Sequence, residues 1–288
     1  MADANFKLGV LKLGCIGAAP LLDLLLDERA DRDDLETRAF SSGAKLDPQS
    51  CEGATRDCIA FAPDLVVVVS PNAALPGPTQ AREALSAAAL PLIAVGDGPS
   101  KNAFYKKNAE GKKEKHVADG VGFVILPADP MIGARREFLD PSEMALFNSD
   151  VIKVLAASGV LRALQNELDN VIAQMKLGSQ VELPQLTITA AKAVTAAGFA
   201  NPYAAAKAFA SLTIAESVAA VTTKACFAEQ DPDKYIQMVA AGHEMLRSAS
   251  VLADEARELE KANDCVLRTP HAADGSALKK EKLLEKPS

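Results

Sequence analysis

Leu65-Val-Val-Val-Val-Ser70 is followed directly by Pro71-Asn72. Four β-branched residues in one unbroken apolar run suit a short strand buried on both faces. That is the pattern of a parallel strand covered by helices. The run also ends in Ser-Pro-Asn, which stops a strand and opens a loop.

Working outward, the same punctuation recurs. Upstream, Phe6 to Leu13 reads as a strand, Gly14-Cys15-Ile16-Gly17 as a turn, and Ala18 to Leu26 as a helix. Asp27 to Asp34 is a charged helix end and loop. Glu36 to Ser42 is a second strand, and Pro48 to Phe61 a second helix. Downstream, Ser70 to Pro78 is too rich in Pro and Gly to be helical, and Thr79 to Ala89 is the next helix. Pro91 to Val95 is a strand followed by Gly96-Asp97-Gly98-Pro99. A charged helix over Ala103 to Lys115 leads to a last strand, Val121 to Leu126.

Strand and helix alternate regularly, so the fold class is α/β: a Rossmann-like, doubly wound parallel sheet. Ligands of such sheets sit at the carboxyl ends of the strands. Every post-strand loop here is rich in Gly, Pro, Ser, Asn or Asp. After residue 140 the alternation stops. Ser142 to Met175 is one long helical pattern, and Gly178 to Pro184 is a spacer. Gln185 to Thr189 suits a strand, Ala190 to Ala197 a helix, and Ala204 to Lys224 and Pro232 to Lys261 are long helices. The expected division is a cofactor-binding domain at 1–127, a helical bundle at 128–262, and a small C-terminal arm at 263–288.

Composition narrows the function classes. The chain has 288 residues and a net charge of −7, which argues against nucleic acid as a partner. Its five cysteines include no Cys-x-x-Cys, so neither a disulfide framework nor a zinc site is expected. Uninterrupted apolar runs fall short of a membrane span, and no basic-then-apolar leader opens the chain. A cytoplasmic location is the expectation.

The most concentrated chemistry lies in Asp129-Pro130-Met131-Ile-Gly133-Ala-Arg135-Arg136-Glu137-Phe-Leu-Asp140-Pro141. It joins the last strand of the alternation to the helical region. The prolines turn Asp129 and Asp140 away from helical backbone, and Asp140-Pro141 also has the form of a helix N-cap. The first turn is Gly-x-x-Gly, not the dinucleotide fingerprint Gly-x-Gly-x-x-Gly. There is no P-loop, no Gly-x-Ser-x-Gly elbow and no paired histidine motif for a metal. A cleft for something anionic and planar, with no obvious nucleophile, fits chemistry carried by a bound cofactor.

Taken together, these blocks resemble the coenzyme F420-dependent methylenetetrahydromethanopterin dehydrogenases of archaea. The resemblance rests on Gly14 to Gly17, Ser42 to Lys45, Ser70 to Asn72 with Pro76-Gly77-Pro78, Gly96 to Pro99, and Asp129 to Pro141 running into Phe147-Asn148. It continues through Phe199 to Ala204, His243 to Met245, Ala256 to Glu258 and Leu267 to His271. It implies reversible hydride transfer between a tetrahydromethanopterin-type substrate and the deazaflavin co-substrate, with no metal and no flavin. It also implies a homo-oligomer, a hexamer built as a trimer of dimers.

By position, the resemblance puts Gly14, Cys15, Ile16, Gly17, Ser70, Pro71, Asn72, Pro76, Gly77, Gly96, Asp97 and Gly98 on the deazaflavin side. Asp129, Pro130, Met131, Gly133, Arg135, Arg136 and Asn148 are expected to face the pterin. Glu137 or Asp140 would favour the cationic product, and Arg135 or Arg136 would meet an anionic tail. The alternative for these four is a set of salt bridges between domains or subunits. Relatives often carry Ser or Thr soon after the second glycine of the first turn; Ala18-Ala19 stands here, so one hydroxyl contact is expected to be missing. Two other readings remain: an NADP-linked pterin dehydrogenase, disfavoured by the missing fingerprint, and a non-catalytic pterin or deazaflavin sensor.

Overall fold

The structure, a computed structural model, describes residues 5–28, 32–179 and 181–288. Residues 1–4, residues 29–31 in the charged stretch after the first helix, and residue 180 in the spacer lie outside the described residues.

The alternation is present as β1 (Phe6–Lys12), α1 (Ala18–Leu26), β2 (Leu35–Ser41), α2 (Pro48–Ala60), β3 (Leu65–Ser70), α3 (Pro76–Ala87) and β4 (Leu92–Gly96). A two-stranded antiparallel hairpin follows, β5 (Tyr105–Lys107) and β6 (Lys113–Lys115). Then come β7 (Val121–Ile125) and, well downstream, β8 (Gln185–Thr187). The main sheet has the strand order β2-β1-β3-β4-β7-β8, all neighbours parallel. β3 lies inside it, and each residue of Leu65 to Val69 is at most 2% exposed. Burying each valine side chain contributes about 1.5–3 kcal/mol, which makes the β-branched run the anchor of this core. Phe104 stacks on Phe123 of β7 with ring centroids 4.5 Å apart.

Three sequence expectations change. Pro76-Gly77-Pro78 is not loop but the first turn of α3, where a proline's missing N–H has no helical partner to lose. Ala103 to Lys115 is not a helix. Gly98–Ala103 is a 3-10 turn, and the Lys- and Glu-rich remainder is the hairpin, closed at Gly111 with φ +79°. The long helical pattern after residue 140 breaks in two, α4 (Pro141–Ala157) and α5 (Val160–Lys176). Gly159 between them has φ +98°, and a Cβ there would stand 2.0 Å from the Ala193 carbonyl oxygen.

The chain divides into two compact units. The sheet unit holds residues 1–126, 166–187 and 271–277; the helical unit holds 127–165, 188–270 and 278–288. This differs from a simple succession at 127 and 262. Parallel pairing of β8 on β7 draws 185–187 into the sheet, and His271 draws its own segment there.

The helical unit contains α4, the start of α5, α6 (Ala190–Ala197), α7 (Pro202–Thr223) and α8 (Pro232–Ala262), with a π turn at Lys224–Ala228. Small residues let α7 and α8 approach closely. Ala204, Ala208 and Ala215 of α7 and Ala249, Ala253 and Ala256 of α8 are fully buried, and Ser211 Oγ donates to the Ala249 carbonyl at 2.7 Å. Among the described residues one helix, Pro202–Ala228, is long and apolar enough to cross a membrane, with a third of its apolar window buried.

Candidate functional site

The sheet unit presents the loops after β1, β3 and β4 at the carboxyl edge. Backbone bonds tie the strand ends together: Leu13 N–H donates to Val69 O at 2.8 Å, and Leu126 N–H to Gly96 O at 2.8 Å. Ser100 is fully buried on the 3-10 turn, and its Oγ accepts the Ala73 N–H at 2.9 Å. That hydroxyl fixes the loop after β3 to the loop after β4. The Arg82 guanidinium backs the same loop, donating to the Ala73 and Pro78 carbonyls and lying over the Phe104 ring at 5.3 Å. Burial pulls the Arg82 pKa down from its ordinary value. Ser100 and Arg82 carried no sequence signal beyond their place in or beside a post-strand loop.

The glycines of these loops serve different ends. Gly14 has φ +81° and packs against Leu46, with the Ser42 hydroxyl accepting its N–H at 3.3 Å. A Cβ at Gly77 would meet the Leu46 carbonyl at 2.3 Å, and one at Gly96 would meet Ser100 Oγ at 2.3 Å. These two allow the chain's own segments to pass closely. Gly98 has nothing within 4 Å of the Cβ position, and Cys15 is exposed. Asp97 is buried and accepts the Gly98 N–H at 2.5 Å, capping the 3-10 turn. Asn72 Oδ1 accepts from Ala74 N–H at 3.0 Å, so it shapes its own turn.

The helical unit carries the loop from Pro127 to Asp140. Asp129 is fully buried, whereas Arg136, Glu137 and Asp140 are exposed. Met131 O accepts from Thr222 Oγ1 at 3.2 Å, and Gly133 packs on Val239. Arg135 spends its donors on backbone: Nε donates to Ala225 O at 2.9 Å and Nη2 to Glu229 O at 2.6 Å. The guanidinium also lies 4.1 Å from the centroid of the buried Tyr235 ring. It therefore holds the carbonyl end of the π turn, where a cation complements the backbone.

Glu137 accepts from its own backbone N–H and from the Tyr235 hydroxyl, and these, with Arg135 and Arg136 nearby, hold its carboxyl below the usual range. Burial and the facing Glu137 push the Tyr235 phenol up. Asp140 accepts from Glu143 N–H at 2.8 Å and caps α4 with Pro141 behind it. Asn148 donates to Met144 O at 2.7 Å within its own helix.

His243, on α8, is the partner that sequence spacing did not connect to this loop. Its ring packs on Phe138 and Phe147 with centroids 4.9 and 4.7 Å away. Burial pulls its pKa down, against a hydrogen bond with the Gly133 backbone and the charges of Glu143 and Glu244. The imidazole is thus neutral near pH 7, and its Nε2 is buried with no hydrogen-bond partner among the described residues. No group of three His, Cys, Asp or Glu side chains among the described residues is placed to hold a metal ion.

Comparison with known proteins gives a consistent result. Residues 6–288 match the family described as methylene-5,6,7,8-tetrahydromethanopterin dehydrogenase. The chain is 55% identical over 281 residues to an F420-dependent methylenetetrahydromethanopterin dehydrogenase of Archaeoglobus fulgidus, covering 98% of each chain. It is 52% identical to the protein of that name from Methanothermobacter marburgensis, covering 98% of this chain and 99% of that one. A solved structure of an F420-dependent methylene-tetrahydromethanopterin dehydrogenase, in complex with methylene-tetrahydromethanopterin and coenzyme F420, superimposes with a TM-score of 0.90. The identity is 44%, over 99% of this chain and 100% of that one.

Proposed function

From a chain that belongs to the methylene-5,6,7,8-tetrahydromethanopterin dehydrogenase family, we infer how its loops divide the work of hydride transfer. The protein is an F420-dependent oxidoreductase. A hydride passes between the methylene carbon of 5,10-methylenetetrahydromethanopterin and the deazaflavin, which also takes up a proton, leaving a methenyl cation on the pterin. The observation that carries this reading is full-length likeness to a complex holding both reactants, at 44% identity.

Cys15 and Gly98 are open, so the crests of the loops after β1 and β4 are free to meet the deazaflavin. Ser100 and Arg82 sit behind them and keep the loop after β3 in register. The Gly133 to Glu137 segment serves the pterin. Glu137, kept ionised by its own amide and Tyr235, is the counter-charge to the methenyl cation. The neutral, unpartnered Nε2 of His243 offers one hydrogen bond beside Gly133. Arg135 and Asp140 shape the segment, the first through the π turn and the second as the α4 cap. No group needs to abstract a proton from carbon, in keeping with the absence of a nucleophile motif. The chain positions two rings and biases their charge.

We assign the α7 stretch to packing within and between chains, not to a membrane. Its inner face is buried on α8. Its outer face, Ala206, Phe209, Ala210, Thr213, Ser217 and Ala220, is exposed and uncharged over four turns. Such a face fits a second copy of the chain and hence a homo-oligomer.

The test is a spectrophotometric assay of the purified protein with methylenetetrahydromethanopterin and oxidised F420, run beside one with NADP. Loss of the oxidised deazaflavin absorbance is the expected result. Turnover with NADP alone, or binding of both reactants without turnover, would overturn the reading.

A further inference from the structure

The helical unit contains a polar cavity away from the Gly133 to Glu137 segment. Its volume is about 90 Å³, room for several water molecules or one small anion. Gly159 and Arg162 at the start of α5, Phe199 after α6, Arg257 and Glu260 near the end of α8, and Leu267 line it. Arg257 follows His243 by fourteen residues on the same helix, a separation of about 21 Å along the axis.

Two guanidinium groups face one carboxylate across this wall. The hydrogen bonds of Glu260 go to backbone and a thiol rather than to either arginine: Oε1 accepts from Asn201 N–H at 2.7 Å and Oε2 from Ala200 N–H at 3.1 Å, with Cys265 Sγ at 3.4 Å. Arg162 donates to Thr269 Oγ1 and, at 3.0 Å, to Leu267 O, both neutral acceptors. Among the described residues Arg257 has neither a hydrogen bond nor a carboxylate within ion-pair distance. Burial pulls both guanidinium groups below their ordinary pKa. A neighbouring arginine lowers each further: Arg257 acts on Arg162, and Arg268 acts on Arg257 against the opposing charges of Glu258 and Glu260. Guanidinium stays charged in such surroundings, so an anion entering the cavity would relieve the repulsion.

We propose that this cavity binds one small tetrahedral oxyanion, of the phosphate or sulfate class, between Arg162 and Arg257. The guanidinium fork matches two oxygens of such an anion, and the start of α5 adds positive potential. Arg162 already holds Leu267 and Thr269, so the anion links the segment after α8 to the end of α8 itself. Binding stabilises the folded chain by mass action.

The experiment is isothermal titration of sodium sulfate into the wild-type protein in low-salt buffer, with sodium chloride at matched ionic strength as the reference. The expected result is a saturable heat with one site per chain that chloride does not reproduce. Arg257→Gln should weaken sulfate at least about tenfold, because a charge-assisted pair is lost. That variant breaks no hydrogen bond among the described residues, so its F420-linked turnover should stay at the wild-type value and its melting temperature without sulfate should not fall. Titrating inorganic phosphate beside methyl phosphate separates a free anion from a phosphate monoester, and saturable binding of either supports the site. Sulfate heats equal to those of chloride, or sulfate binding within about twofold of wild type in a folded Arg257→Gln protein, would overturn the proposal.

Discussion

His271→Gln should lower the melting temperature markedly and remove a pH dependence. In the sheet unit the imidazole is 1% exposed and stands between two carboxylates. Nδ1 lies 3.0 Å from Glu28 Oε1 at the end of α1, and Nε2 lies 2.9 Å from Asp169 Oδ2 on α5. The His271 backbone N–H also donates to Glu28 Oε1 at 2.6 Å. With both nitrogens facing carboxylates, the ring is held as imidazolium. Burial is the largest influence on its pKa and pulls it down; the Asp169 hydrogen bond and charge, with Glu28, more than offset this against Arg32, and the net shift is upward. A neutral amide in place of the ring leaves two carboxylates facing each other with no cation between them among the described residues. Removing one partner of a buried pair costs about 3 kcal/mol or more. For a chain of this size that corresponds to a melting point lower by about 6–12 °C.

The sign with pH follows from the upward shift. The histidine's contribution is complete below the unfolded value of about 6.5 and is lost as pH rises through the higher folded value. Calorimetric melting of both proteins between about pH 6 and 9 reads this directly, since only wild type should lose stability through that titration. The gap between the two proteins should be widest at the acidic end. A variant melting within about 1 °C of wild type at about pH 6, or a gap that widens toward alkaline pH, would refute the imidazolium reading.

Glu137→Gln keeps the size of the side chain and removes its charge, so turnover should fall about 100-fold while F420 binding, followed by fluorescence, is unchanged. Ser100→Ala leaves the buried Ala73 N–H without an acceptor, at a cost of about 1–3 kcal/mol readable by denaturant titration. Arg135→Gln removes the charge that holds the Ala225 and Glu229 carbonyls, and about 2 kcal/mol of stability should go with it, measured the same way. Gly159→Ala forces a methyl to within 2.0 Å of the Ala193 carbonyl at φ +98°, and little soluble protein should be recovered.

The strands that were legible are those whose burial is written in their composition. Leu65 to Val69 is apolar on both faces and reads as an inner strand without further help. Gln185 to Thr189 also reads as a strand, and Gln185-Leu-Thr187 forms one, but so short a segment carries no signal of where it pairs, and its place on β7 at the sheet edge is set by tertiary contact. Residues 103–115 carry Lys and Glu at a density that suits helix, yet Phe104 and Tyr105 are drawn onto Phe123 and the remainder closes as a hairpin. Long-range packing overrode local preference there. At the site, Asp129 to Asp140 stood out by residue type. Its partners Thr222, Tyr235 and His243 did not, since they lie on helices far onward in the chain and no spacing links them. The Glu28-His271-Asp169 cluster was hidden for the same reason, being drawn from three distant segments.

The position of β8 at the sheet's edge governs how the chain can be made. On a ribosome the earlier strands of the main sheet emerge with β7 as an open border of unpaired backbone groups. That border is closed only after all of α4 and α5 has also been synthesised, and the His271 contact forms only near the end of translation. An amino-terminal piece ending at residue 126 therefore carries a bare strand edge and is prone to pair with other chains. A cut at residue 126 removes an edge strand and the His271 segment from the sheet unit itself, so the apparent boundary in sequence is not a boundary in the fold.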